Sequence, residues 1–197
     1  MNNYKQAIGI KPDYAEPYNN MGIVFKDKGD LKNAVNSYRQ AIQIKPDFAE
    51  AYNNLGKALQ DEGNLEQAID NLNRALVIKP NLAESYYTLG SIFKNIRFSA
   101  PEPDLAKIFI NLMKTGNYVR PGDIADSALS LIKTDPAIKK ILKLNLNEDP
   151  NASLSKIISK LASFPLLIEL MKVCPIPCIY FEKLFTSIRQ KVLSSLV

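Results

Sequence analysis

Cys174 and Cys178, four residues apart, form the one cluster in this 197-residue sequence whose spacing suits metal or thiol chemistry. A protein-held zinc takes four ligands, so two thiolates need two further donors. The chain contains no histidine. That removes the commonest nitrogen donor, and with it the Ser/His and Cys/His nucleophile pairs. The pair reads instead as buried or half-buried thiols flanking a helix start. No G-x-G-x-x-G or phosphate-loop pattern is present. Acidic pairs such as Asp61-Glu62 and Glu148-Asp149 read as solvated charges at helix ends or in loops. The expectation is a chain without catalytic residues, metal or cofactor.

The stronger pattern is a repeat. Pro12, Pro46 and Pro80 are spaced 34 residues apart and open three matching blocks: PDYAEPYNNMG, PDFAEAYNNLG and PNLAESYYTLG. Matches of that length at two equal offsets indicate internal duplication. In the second unit Tyr52, Leu55 and Leu59 fall at helical spacing beside Gly56. Gly63-Asn64 breaks that helix, because glycine suits the left-handed geometry that ends helices. Leu65, Ala68, Ile69, Leu72, Ala75, Leu76 and Ile78 then stripe a second helix. Lys79-Pro80 stops it, since proline disfavours helix at the residue before it. The first unit repeats the plan, with Gly29-Asp30 as turn and Lys45-Pro46 as stop.

The order Tyr18-x2-Met21-Gly22-x2-Phe25, Ala34-x3-Tyr38, Ala41 and Pro46 resembles the tetratricopeptide signature. Tyr52-x2-Leu55-Gly56-x2-Leu59, Ala68-x3-Leu72, Ala75 and Pro80 repeat it. Small residues at Gly22, Gly56, Ala34 and Ala68 let paired helices approach closely while large ones fill the space around them. The third unit matches through Tyr86, Leu89, Gly90 and Phe93, then departs: Glu102 stands where the small alanine belongs. Tyr4, Ala7 and Pro12 fit the end of a second helix whose first helix is missing. The expected organisation is an array over 1–96, with a partial repeat at 1–14, full repeats at 15–48 and 49–82, and a degenerate third from 83.

The resemblance implies a binding module whose first helices line a concave face. Glu16, Asn19, Asn20, Ile23, Lys26 and Asp27 would line it in the first unit. Glu50, Asn53, Asn54, Lys57, Gln60 and Asp61 follow in the second, then Glu84, Tyr87, Thr88, Ser91, Lys94 and Asn95 in the third. Asn20 and Asn54 fall one repeat apart on one helical face. An amide both donates and accepts, so a row of them can hold an extended peptide by its backbone. This is similar to the asparagine ladder of O-linked N-acetylglucosamine transferases, with Thr88 interrupting it. Ordinary exposed polar residues are the other reading. Family members that clamp acidic chaperone tails use lysine at the positions of Glu16, Glu50 and Glu84. Carboxylates there disfavour such a partner, and equally suit the positive end of a helix dipole.

Beyond 97–103, a proline-marked connector, no repeat continues. Leu105, Ile108, Phe109, Leu112 and Met113 mark an amphipathic helix from Asp104 to Lys114, a candidate cap for the array. Ile124 to Ile132, Asn151 to Leu161, Leu166 to Lys172 and Cys178 to Leu196 also read as helical. Asp135-Pro136 reads as an N-cap with proline at the first helical position. The expected fold is all-α: a tetratricopeptide helix-turn-helix solenoid followed by a helical domain over 104–197, truncated at its end. Residues 165–193, with Cys174-Pro175-Ile176-Pro177, Phe181-Glu182 and Arg189, resemble the helical region of bacterial tetratricopeptide–methyltransferase fusions. That resemblance implies a catalytic domain outside the chain.

Residues 1–100 hold 12 basic and 11 acidic residues, and residues 101–197 hold 13 and 9. Neither half has a basic block or aromatic-basic stripe, so nucleic acid is not an expected partner. No uncharged apolar run approaches the ~18 residues of a membrane span, and no signal-peptide pattern opens the chain. A cytoplasmic protein- or peptide-binding scaffold is the leading expectation. The alternative is the substrate-recruiting part of a larger methyltransferase or glycosyltransferase.

Overall fold

Gly29 and Gly63 adopt φ of 77° and 82°, a region that costs a residue with a Cβ but not glycine. Each ends one helix and turns the chain into the next. Asp30 and Asn64 follow, and their side-chain oxygens accept from the backbone N–H of Asn33 (3.2 Å) and Gln67 (3.4 Å). Those bonds satisfy donors that a helix start leaves open. The same device thus builds two successive hairpins.

The computed structural model describes Gly9 and residues 13–115, 118–142 and 161–173. Five helices occupy the repeat region: α1 (Ala15–Asp27), α2 (Leu31–Ile44), α3 (Ala49–Asp61), α4 (Leu65–Ile78) and α5 (Ala83–Lys94). Four follow: α6 (Pro103–Thr115), α7 (Pro121–Thr134), α8 (Pro136–Leu142) and α9 (Pro165–Val173). No strand occurs among the described residues, and the all-helical expectation holds. The chain divides into two compact units, Met1–Ile92 and Phe93–Val197.

In the first unit α1 packs on α2, α3 on α4, and α2 on α3. The core repeats with the sequence. Ala15, Ala41 and Phe48 cluster with Tyr18, Ile42 and Ile44. Ala49, Ala75 and Leu82 cluster with Tyr52, Leu76 and Ile78. Every member of the second cluster is the 34-residue counterpart of one in the first. The pairs meet at their glycines. A Cβ on Gly22 would lie 2.5 Å from the Tyr38 ring, and one on Gly56 2.6 Å from Leu72 Cγ. Tyr38 is fully buried. Burial, with the Asp27 carboxylate as a lesser cause, pushes its phenol up to about 12.

In the second unit Phe93 stacks on Phe109 of α6, ring centroids 4.4 Å apart, and Phe98 meets Phe109 edge-on at 6.0 Å. Ser127 of α7 donates to the carbonyls of Phe93 and Ile96, while Ser130 accepts from the Phe98 N–H at 3.0 Å. The connector read from its prolines is therefore pinned by polar side chains of α7. That helix begins at Pro121 and ends at Thr134, longer at both ends than its apolar stripe from Ile124 to Ile132. Asp135 caps α8, its Oδ1 accepting from Ala137 N at 2.7 Å. α9 lies against α6 and α7 and buries Leu166, Leu167 and Leu170. The Cys174/Cys178 pair, the helix expected over 178–196, all but Leu161 of the one expected over 151–161, and most of 1–14 lie outside the described residues. So does the larger part of the segment resembling methyltransferase fusions.

The close approach at Gly56 makes a testable demand. Replacing Gly56 with leucine gains up to ~1 kcal/mol of helix propensity. It also drives four carbons into Leu72 and the Ala68 carbonyl, and overpacking of this kind costs ~1–3 kcal/mol or more. Chemical denaturation is expected to show a net loss of stability, and an unchanged midpoint would contradict the packing described.

Candidate functional site

The first helices α1, α3 and α5 bury one face against the hairpins and leave another open. Along α1 the open line runs Asn20, Ile23 and Asp27, at helical spacing and half-buried to exposed. Along α3 it runs Asn54, Lys57 and Asp61, with Gln60 beside it. Side chains from neighbouring repeats meet here. Lys26 reaches Asp61 at 2.9 Å, and Gln60 reaches the Ser91 hydroxyl at 3.5 Å.

Three residues expected to line the groove are instead buried. Asn19, Asn53 and Thr88 keep only 7%, 5% and 8% of their surface exposed. Their polar atoms are used inside the protein. Asn19 Oδ1 accepts from Asn54 Nδ2 at 3.0 Å, and Asn53 Oδ1 accepts from the Ser85 hydroxyl at 2.9 Å. The Thr88 hydroxyl donates to the Glu84 carbonyl one turn back, at 2.8 Å. The physical reason is the spacing of the repeats: the asparagine at this register faces the next first helix and must find a donor there. In the second repeat that donor is Asn54. In the third, Thr88 stands at the equivalent place and is turned to its own backbone, and Ser85, one turn earlier, donates to Asn53 instead.

The remaining expected residues fall into committed and open groups. Glu16 pairs with Lys45 at 3.7 Å and Glu50 with Lys79 at 2.8 Å. The Lys79 hydrogen bond holds the Glu50 carboxyl below its ordinary range. These lysines were read from sequence as helix stops and not as residues of the groove. Their signal was available, since each follows its glutamate by 29 residues in the same repeat register. Asn20 makes no side-chain hydrogen bond among the described residues, and Asn54 has one N–H committed to Asn19. Ile23 is 38% exposed and Tyr87 57%. Ser91 and Asp27 are exposed, and Lys57 is half-buried.

A second concavity of about 330 Å³ lies in the other unit, lined mainly by Pro101, Ala106, Ile110, Leu131, Phe164 and Leu166. Of its polar groups, the Thr134 hydroxyl bonds the Leu131 carbonyl, Asp135 caps α8 and Lys107 pairs with Asp104 at 3.3 Å, while Glu102 is exposed. Among the described residues no cluster of acidic or sulfur side chains has the makings of a metal site, and no helix is long and apolar enough to cross a membrane.

Comparison with known proteins bears on the first unit. A family described as TPR repeat matches residues 1–29 and 24–63, and one described as tetratricopeptide repeat matches 49–82. No curated protein matches the chain. Two solved structures of MamA are similar, each at 20% identity over 96% of this chain, with TM-scores of 0.45 and 0.44. They are covered over 86% and 81% of their own length.

The two kinds of asparagine differ in consequence. Asn53→Ala leaves the buried Ser85 hydroxyl without its acceptor, a loss of ~1–3 kcal/mol. Asn20→Ala removes no bond and is expected to stay within ~0.5 kcal/mol. Parallel denaturation curves of the two variants check this; equal effects would overturn the division.

Proposed function

We propose that this chain, whose residues 1–82 belong to the tetratricopeptide repeat family, is a scaffold that binds an extended peptide across α1, α3 and α5. The array would span 1–96, with the helical domain at 104–197 as an appended part. The observation that carries the reading is the state of the two amides. Among the described residues the Asn20 amide enters no hydrogen bond, so its two N–H groups and carbonyl oxygen are all available. Asn54, anchored by one N–H on Asn19, still has a second N–H and its carbonyl oxygen. A peptide backbone offers alternating donors and acceptors, which two such amides one repeat apart can meet whatever the side chains. Anchoring Asn54 also lowers the entropy lost on binding.

The same geometry disfavours an acidic chaperone tail. Glu16 and Glu50 are already neutralised by Lys45 and Lys79, so the lysines at that rim are occupied rather than offered. The reading assigns no catalysis to this chain.

The test is a Asn20→Ala/Asn54→Ala double variant against any peptide captured by the full chain. Two lost hydrogen bonds at ~0.5–1.5 kcal/mol each correspond to roughly tenfold weaker binding, given ~1.4 kcal/mol per decade. Equal affinities for wild type and double variant by calorimetry would end the backbone-ladder reading.

A further inference from the structure

We infer that Asn19, almost closed to solvent, is a positioning residue of the peptide site: it holds the Asn54 amide in one orientation for a ligand backbone. The inference rests on the peptide-binding reading and adds to that site a residue behind its surface.

Asn19 keeps 7% of its surface exposed. Its Oδ1, on α1, accepts from Asn54 Nδ2, on α3, at 3.0 Å. A half turn of a carboxamide about its last torsion exchanges the places of its NH2 group and its oxygen. For Asn54 that turn sets its oxygen against the oxygen of Asn19, two acceptors with no proton between them. The bond therefore selects one of the two orientations, and Asn54 meets a ligand with its oxygen and second N–H already placed. Asn20 enters no hydrogen bond among the described residues and is under no such constraint. Freeing Asn54 does not by itself part the helices, because α3 also packs on α2 and Lys26 reaches Asp61 at 2.9 Å.

The next repeat contains the control. Asn53 stands 34 residues after Asn19, at the same register, and is equally buried. Its Oδ1 also accepts one hydrogen bond from the next first helix, but the donor is the Ser85 hydroxyl at 2.9 Å. Ser85 is fully buried, so this bond orients nothing that a ligand can use. Thr88, at the register of Asn54, is bonded to its own helix. Two buried asparagines thus make the same kind of contact between repeats. Only the bond at Asn19 ends on a residue of the proposed site.

The experiment presents the full chain with an immobilised library of short peptides capped at both ends, and carries one retained peptide through three variants. Asn19→Ala should weaken it about twofold to tenfold, the range for ordering one side chain on binding. Asn53→Ala should leave the affinity unchanged while costing more stability, because it strands the buried Ser85 hydroxyl. Asn19→Asp, whose carboxylate only accepts, should keep the wild-type affinity. In the free protein the Asn54 NH2 protons should exchange with solvent more slowly than those of Asn20, a difference that Asn19→Ala abolishes. Equal exchange at Asn20 and Asn54 in the wild type would overturn this inference and leave the peptide reading standing. So would an unchanged affinity in Asn19→Ala, an equal loss in Asn53→Ala, or an Asn19→Asp variant as weak as Asn19→Ala. Retention of no peptide by the wild type would overturn both.

Discussion

Helices α1 and α2, and α3 and α4, approach until a single methyl group would collide at Gly22 and Gly56, and everything else in the repeat unit follows from that contact. The missing Cβ lets the Tyr38 ring in one pair and Leu72 in the other lie across the partner helix. The alanines at 15, 41, 49 and 75 then pack with Phe48, Leu82 and the larger residues around them, in two clusters on one plan. Two hairpins built on one plan then stack with one spacing. That spacing brings an open face of α1 alongside an open face of α3.

Between the hairpins the fold uses polar as well as apolar contacts. A buried asparagine at the same register in two repeats accepts one hydrogen bond from the next first helix, first from Asn54 and then from Ser85. A buried amide without a partner is costly, so these links fix the register between neighbours as well as adding stability. They also determine which amides a ligand can use. The asparagine one position later along α1 and α3 is the one turned towards the open face, and among the described residues the one in the first repeat, Asn20, enters no hydrogen bond.

Much of this was legible in the sequence because the repeat states it twice. The prolines at 12, 46 and 80, the glycines at 22, 29, 56 and 63, and the apolar stripes set five helices and their turns. Asp135 as the cap of α8 was equally readable, since a carboxylate before a proline has a local geometric meaning. What periodicity does not give is which of two adjacent residues, about 100° apart around the helix, faces the open side. Asn19 and Asn20 are adjacent, chemically identical and both polar, so spacing alone leaves both on the open face. The structure separates them, because one points at the neighbouring repeat. The pairing of Glu16 with Lys45 and Glu50 with Lys79 left a signal, the 29-residue spacing repeated in both units, but the partners sit at opposite ends of a repeat and their contact is read from its fold. In the second half no repeat supplied a second copy to read against, and Ser127 and Ser130, which pin the connector, carried no sequence signal.

The central claim is that a ligand peptide lies on the open face of the first helices and is held by its backbone. Side-chain amide resonances of Asn20 and Asn54, followed by NMR while the full chain is titrated with a peptide that it captures, test it most directly. The account predicts that both NH2 pairs shift with saturating occupancy, together with backbone amides of α1, α3 and α5. Asn19 and Asn53 should respond only through their neighbours, and α2 and α4 should stay nearly still. Saturable shifts confined to α2 and α4, or to residues beyond 93, with Asn20 and Asn54 unmoved, would contradict it.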